Sequence, residues 1–327
     1  MKKYLAFALL ITLCSCNSDD DAMAPVEDPL VVAEFRTNLS ELNLFVGDLN
    51  DLDITSRAFE YSPNTALFTD YAHKQRLIAL PENTAMQYNG DGLPIFPENT
   101  VIAKTFYYNN DERNLSLGRI IIETRILIKI NGNWETGNYK WNDDQTDATL
   151  DLNASTVPVT WINDQGETNS TVYKIPSDSQ CFTCHRTNEE KRPIGLKLEA
   201  LNFDVNGVNQ IQQLVDNQLL TDVDFTNLNA IPNWDDSINY SLEERARAYF
   251  DINCAHCHTD GGYCESQSSL RLDYSTSLDN TNIVERKNSI IFRVASDFEE
   301  GLTMPWIGTS MLHNEGVDLI LEYLDTL

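Results

Sequence analysis

The sequence predicts an α+β protein in two parts, an N-terminal β-sandwich-like module followed by an all-α region. Residues 34–177 alternate β-branched, aromatic and polar side chains between turn residues. Past Pro176 the apolar residues fall at helical spacings instead. Two Cys-x-x-Cys-His motifs, Cys181-Phe182-Thr183-Cys184-His185 and Cys254-Ala255-His256-Cys257-His258, both lie in that second part. At 327 residues and 42% hydrophobic, the chain is long enough for two domains.

Residues 1–33 read as a signal and tether. Lys2 and Lys3 precede an apolar run from Tyr4 to Leu13, the form of an export signal and too short to span a bilayer. Leu13-Cys14-Ser15-Cys16 resembles the lipobox of bacterial lipoproteins, which implies that Cys16 is the lipidated first residue of the mature chain. Asn17-Ser18-Asp19-Asp20-Asp21 is similar to the surface-export signal of Bacteroidetes lipoproteins, so an outer-membrane anchor facing the periplasm or the outside is expected. The other reading of that acidic run is a solvated spacer. Asp19 to Pro29 has the composition of a tether in either case.

Within the β-rich module, 34–177, Ser40 to Phe45 reads as a short helix or turn. Strands are expected over Lys74 to Leu80, Thr100 to Tyr108 and Gly118 to Ile130. Asn131-Gly132 signals a two-residue hairpin, because both positions tolerate positive φ. Val157 to Asn163 and Thr171 to Ile175 form a second hairpin around Asp164-Gln165-Gly166-Glu167. Trp134, Trp141 and Trp161 fit an exposed binding face, although aromatics on strands are more often core.

A first motif region, 178–240, follows. Val208 to Leu220 has apolar residues at 208, 211, 214, 215 and 219, a helical pattern that Pro232 and Asn233 separate from the next unit. In the last region, 241–327, Ser241-Leu242-Glu243-Glu244 is a capping box opening a helix that runs into Cys254. Val317, Ile320, Leu321, Leu324 and Leu327 mark a terminal helix.

Each Cys-x-x-Cys-His is the attachment signature of a c-type haem, in which two thiols add to the vinyl groups and the imidazole becomes an iron ligand. Two covalent haems c are therefore expected, on Cys181, Cys184, Cys254 and Cys257, with His185 and His258 as axial ligands. His258 should ligate through its outer ring nitrogen, with the other ring N–H donating to a backbone carbonyl. A thioredoxin-like pair needs a βαβ context, and a four-thiolate zinc site sits poorly with the 69 residues between Cys184 and Cys254. A disulfide inside each motif would be strained and would leave both histidines unexplained. Of seven cysteines, Cys264 remains as a free, inert thiol.

The order helix, motif, loop, Met-Pro, terminal helix from Ser241 to Leu327 resembles a class I cytochrome c domain. That resemblance implies Met304, in Leu302-Thr303-Met304-Pro305-Trp306-Ile307-Gly308, as sixth ligand of the second iron, and a crossing of the first and last helices. It places His256 away from the iron. The first site departs from the pattern, because Val172-Tyr173-Lys174-Ile175-Pro176 reads as a strand rather than a helix before Cys181. The same resemblance implies that Pro193, in Arg192-Pro193-Ile194-Gly195, helps orient His185, as the proline after the motif does in class I proteins. Candidates for the first sixth ligand are His73, Met86, Met311 and His313, or the position is open.

From about Leu39 onward the chain also resembles a family of bacterial two-haem c-type cytochromes with a β-rich N-terminal half. Thr65 to Ala72, Lys104 to Tyr107, Glu123 to Arg125, Gln180 to His185 with Pro193 to Gly195, and Arg245 to His258 carry the likeness. It implies electron transfer; the stretch 262–300 is shorter than the family's usual loop. A net charge of -27, from 23 basic and 50 acidic residues, argues against nucleic acid or an anionic membrane surface as partner. The expected partners are redox proteins with a basic docking face, reached through salt-sensitive association. An electron carrier is expected first, without catalytic residues; a peroxidase-like enzyme with an open first iron, or a β binding module with a redox attachment, are the alternatives.

Overall fold

The computed structural model describes residues 27–299 and 301–327, so the expected export signal and the lipid site at Cys16 lie outside the described residues. The fold is mixed α+β. Its framework is an antiparallel sheet in the order β1-β2-β4-β5-β6-β7. These strands are β1 (Ala58–Glu60), β2 (His73–Ala79), β4 (Val101–Asn109), β5 (Arg119–Ile130), β6 (Asn133–Trp141) and β7 (Ala148–Leu150). The short β3 (Met86–Gln87) stands apart from it. At the β5–β6 turn, Asn131 and Gly132 take φ of 53° and 81°, as the Asn-Gly pair requires.

Strand alternation gives the sheet two buried faces. On the outer one, Leu77, Ala79, Val101, Ala103, Ile126 and Ile128 pack beneath Leu39, Leu42, Leu44 and Leu52, the first two of these on a 3-10 turn at Leu39–Leu42. The inner face is covered in two patches. Ile78, Ile102, Leu127 and Trp134 meet the segment that follows the first motif. Phe106, Tyr108 and Ile122 meet a separate hairpin of β8 (Ser155–Ile162) and β9 (Thr168–Ile175). The expected β-module is thus one six-stranded sheet with a two-stranded hairpin laid on part of one face. Trp134, Trp141 and Trp161 are 5–7% exposed, so they are core and form no aromatic surface.

The next segment is less helical than its spacing suggested. After α1 (Asp178–Cys184) come β10 (Arg186–Thr187) and β11 (Glu190–Lys191), then α2 (Leu198–Leu201), β12 (Asp204–Val205) and β13 (Val208–Asn209). The helix expected over 208–220 shrinks to α3 (Gln210–Asp216), because Asn209 caps it by accepting from the Ile211 and Gln212 amides. Its last residues become β14 (Leu220–Thr221), which pairs in parallel with β3 through Leu220 and Met86. The segment is therefore built onto the sheet.

From residue 241 the described residues form helices and loops only: α4 (Leu242–Phe250), α5 (Leu278–Thr281), α6 (Ile283–Ala295) and α7 (Asn314–Asp325). Ser241 and Glu244 cap α4 reciprocally. Tyr249 and Phe250 of α4, Ile290 of α6, and Ile320, Tyr323 and Leu324 of α7 share one core. Helix α6 occupies what the spacing left as a loop; its exposed Val284 and Phe292 blur the apolar stripe made by Ile283, Ile290 and Val294. Among the described residues no helix is long and apolar enough to cross a membrane.

Candidate cofactor site around the two cysteine-histidine motifs

The first motif sits at the corner where β9 turns into α1. Ser177 caps α1 and exchanges hydrogen bonds with Gln180, which fixes the helix start three residues before Cys181. Cys181 is buried at 9% exposure, beneath Asn138 of β6, and burial raises its thiol pKa. His185 ends the helix, with Nδ1 2.8 Å from the Arg192 carbonyl. That contact engages Nδ1 and leaves Nε2 as the ring atom available to a ligand. Burial, then the neighbouring Lys104, pull the ring down to about 3, so it is neutral at physiological pH.

The second motif is carried by the end of α4, where the helix widens into a π-helical turn over Asp251–Ala255. Such turns are common at functional sites. The turn is anchored by buried Asp251, whose Oδ1 accepts from Lys197 Nζ at 2.6 Å and from the Tyr274 amide at 2.9 Å. Burial raises Cys254 to about 12. His258 is drawn down to about 4 by burial and by His256. Its Nδ1 is buried without a partner, so the backbone-carbonyl contact expected of His258 is missing, whereas His185 makes such a contact.

Cys254, Cys257, His258 and Met304 line one cavity of about 420 Å³, within the range of cofactor pockets. The Met304 amide donates to the Arg293 carbonyl at 2.9 Å, which ties the Met-Pro loop to α6. Cys184 enters the same cavity from the first motif. The ligand atoms of Cys184, His256 and Cys257 lie within 4.8 Å of one another, a three-donor set capable of holding a thiophilic metal ion. His256 thus faces Cys184 and Cys257. The contact with Cys257 lowers the Cys184 thiol and raises that of Cys257. Cys264 touches Cys257 too and is lowered to about 7. It is free, as expected, and lies against Cys257 rather than apart from the motif cysteines.

Cys181 and His185 line a second, smaller cleft against the inner sheet face. Neither His73 nor Met86 lines either cavity. His73 Nε2 contacts Glu112 Oε1 at 2.7 Å on the sheet surface. Met86 is 1% exposed in the hydrophobic core. Met311 packs beside the β8–β9 hairpin, and His313 stacks on Phe68 while its Nδ1 meets Tyr249 Oη at 2.9 Å. The cleft instead presents Lys74, Arg76, Lys104 and Arg125. These were not singled out from the sequence. The available signal was a charge at an inward position of apolar strands, as in Ile102-Ala103-Lys104-Thr105-Phe106.

The helical part and the sheet meet at the turn before β2. The Phe68 amide donates to Asn253 Oδ1 at 2.7 Å, and Thr65 Oγ1 donates to the Pro232 carbonyl at 2.9 Å. Comparisons with known protein families, curated proteins and solved structures find no match for this chain.

Proposed function

We propose that the chain is a two-haem c-type cytochrome that passes single electrons between redox proteins, with its C-terminal part a class I-like cytochrome c domain. The observation that carries the reading is the convergence of the two motifs, Cys184 of one against Cys257 of the other. The four motif thiols are unbridged, as thioether attachment requires. His185 is oriented with Nε2 available, and Met304 shares the cavity of His258. Haem bound there supplies one-electron chemistry, with a thioether on the second iron favouring its reduced state. The chain's own part is to orient the imidazoles and exclude water. Haems held by neighbouring attachment sulfurs would be close enough to exchange electrons with each other.

Export as an outer-membrane lipoprotein anchored through Cys16 belongs to the same proposal, since c-type attachment takes place outside the cytoplasm. Partners carry a basic face complementary to the charge of -27. A second reading, a peroxidase-like enzyme with an open first iron, is favoured by one observation: the cleft beside His185 contains no second histidine or methionine. Pyridine-haemochrome quantitation with a visible spectrum of matured protein decides. Two haems per chain, both low-spin, are the carrier's result; a high-spin component that shifts with cyanide is the enzyme's. Protein that stays colourless after expression with cytochrome-maturation machinery overturns both.

A further inference from the structure

We propose that the row of cations on the inner sheet face is a binding site for one small oxyanion or one carboxylate group. Arg76 of β2 is the register partner of Lys104 of β4, and Lys104 is the partner of Arg125 of β5. Three basic side chains stand directly opposite one another across three strands, an arrangement that destabilises a sheet; burial lowers Lys104 to about 7 and Lys74 well below its ordinary value, so an incoming anion is what would hold both amines charged. Lys74, two residues before Arg76, extends the row on the same face. Arg76 and Lys104 are 7% and 8% exposed, so water does little to screen them.

Compensation within the chain is incomplete. Glu123 is fully buried and is engaged through Oε1 by Arg125 at 2.5 Å and by Tyr173 at 2.7 Å. Among the described residues, no carboxylate lies within ion-pair distance of Lys74, Arg76 or Lys104. Their hydrogen bonds run to backbone carbonyls: Lys74 to Leu67 and Ala72, Arg76 to Lys74 at 3.4 Å, and Lys104 to Ile194 at 2.6 Å. Arg125 Nε is buried with no acceptor. Within the row Glu123 thus serves Arg125 alone, the other three basic side chains have no carboxylate partner among the described residues, and an incoming anion completes the pairing.

Size narrows the ligand. The cleft lined by this row, Cys181 and His185 has a volume of about 40 Å³, room for roughly three waters at 10–15 Å³ each. Nitrite, formate or a single carboxylate fits; a dicarboxylate or nucleotide does not. The carboxylate has two sources, a free oxyanion or a propionate reaching in from a group attached at Cys181, whose ring the cleft itself is too small to hold. The site itself stands on the sheet geometry, and only the second source rests on the haem reading.

The test uses the full-length matured protein and its Lys104→Met and Arg76→Met variants, with Lys104→Gln in reserve should Arg76→Met not fold. Thermal midpoints are titrated with nitrite against chloride at constant ionic strength, and the reduction potential of each haem is followed against pH. A free-anion site gives saturable stabilisation of the wild type by nitrite and at least tenfold weaker nitrite binding in Lys104→Met. A propionate site gives no nitrite effect and an altered potential-against-pH profile of the first haem in both variants. Either result supports the site. Loss of nitrite affinity below twofold, or no nitrite effect together with unchanged profiles, overturns it. In colourless protein the nitrite titration alone decides, so failure of the haem reading is seen separately.

Discussion

Asp70 and Ser310 are joined by three hydrogen bonds, the Ser310 amide donating to both carboxylate oxygens at 2.8 and 3.0 Å and its hydroxyl to Oδ2 at 2.6 Å. Asp70 lies in the turn before β2, and Ser310 lies six residues beyond Met304. The sheet thereby holds the loop that presents the methionine. Asp70→Ala removes these acceptors and leaves alanine at φ 48°, which should cost about 2–4 kcal/mol. Chemical denaturation measures it; Asp70→Asn, tolerant of that φ, should lose less. A cost below about 0.5 kcal/mol for the alanine variant would show that the contact is incidental.

Met304→Leu keeps the volume and removes the sulfur. On the proposed function, the matured variant retains both covalent haems, while the second reduction potential drops and the near-infrared charge-transfer band of thioether-ligated ferric haem disappears. Unchanged potential and spectrum would exclude Met304 as a ligand.

On the proposed function, the motif thiols are free until haem is attached. Protein made without haem attachment should bind one zinc ion per chain through Cys184, His256 and Cys257, and Cys184→Ser should weaken this by 10-fold or more. Matured protein should not bind it, because the same sulfurs are consumed. Isothermal titration of both forms reads the difference, and equal affinity in the two would count against thioether formation.

Gly316 lies where α7 crosses α4. A Cβ there would come within 2.3 Å of the Tyr249 ring end, which is itself held by His313 and packed on Trp234. Gly316→Ala should therefore destabilise by about 1–3 kcal/mol through overpacking, despite alanine's better helix propensity. A variant as stable as the parent would mean that the crossing has slack.

Glu199 is 7% exposed, and burial pushes its carboxyl up to about 7. The folded state then holds a proton that the unfolded chain releases near its ordinary value of 4.5. Stability from this group is full below about 4.5 and is lost as pH rises to about 7. Glu199→Gln should remove that loss, gaining on the order of 2 kcal/mol at pH 8 relative to pH 4. Parallel stability-against-pH curves for variant and parent would refute it.

The elements legible in the sequence were those whose signal is local. Asn131-Gly132 located its hairpin, the Ser241–Glu244 box opened α4, and the motif spacings marked both cysteine corners. What escaped depends on contacts between distant segments. Strand β14 exists because Leu220 finds Met86, 134 residues earlier in the chain, and α3 is cut short accordingly. The convergence of Cys184 with Cys257 is likewise tertiary, as is the alignment of Arg76, Lys104 and Arg125 into one row. His73 and Met86 were reasonable ligand candidates by residue type, yet strand register sends one to the surface and the other into the core.

Cys181 keeps only 9% of its surface exposed where the β9–α1 corner seats on β6. On the proposed function, a haem joined to that sulfur would have to arrive while the polypeptide is still open, modification first and closure second.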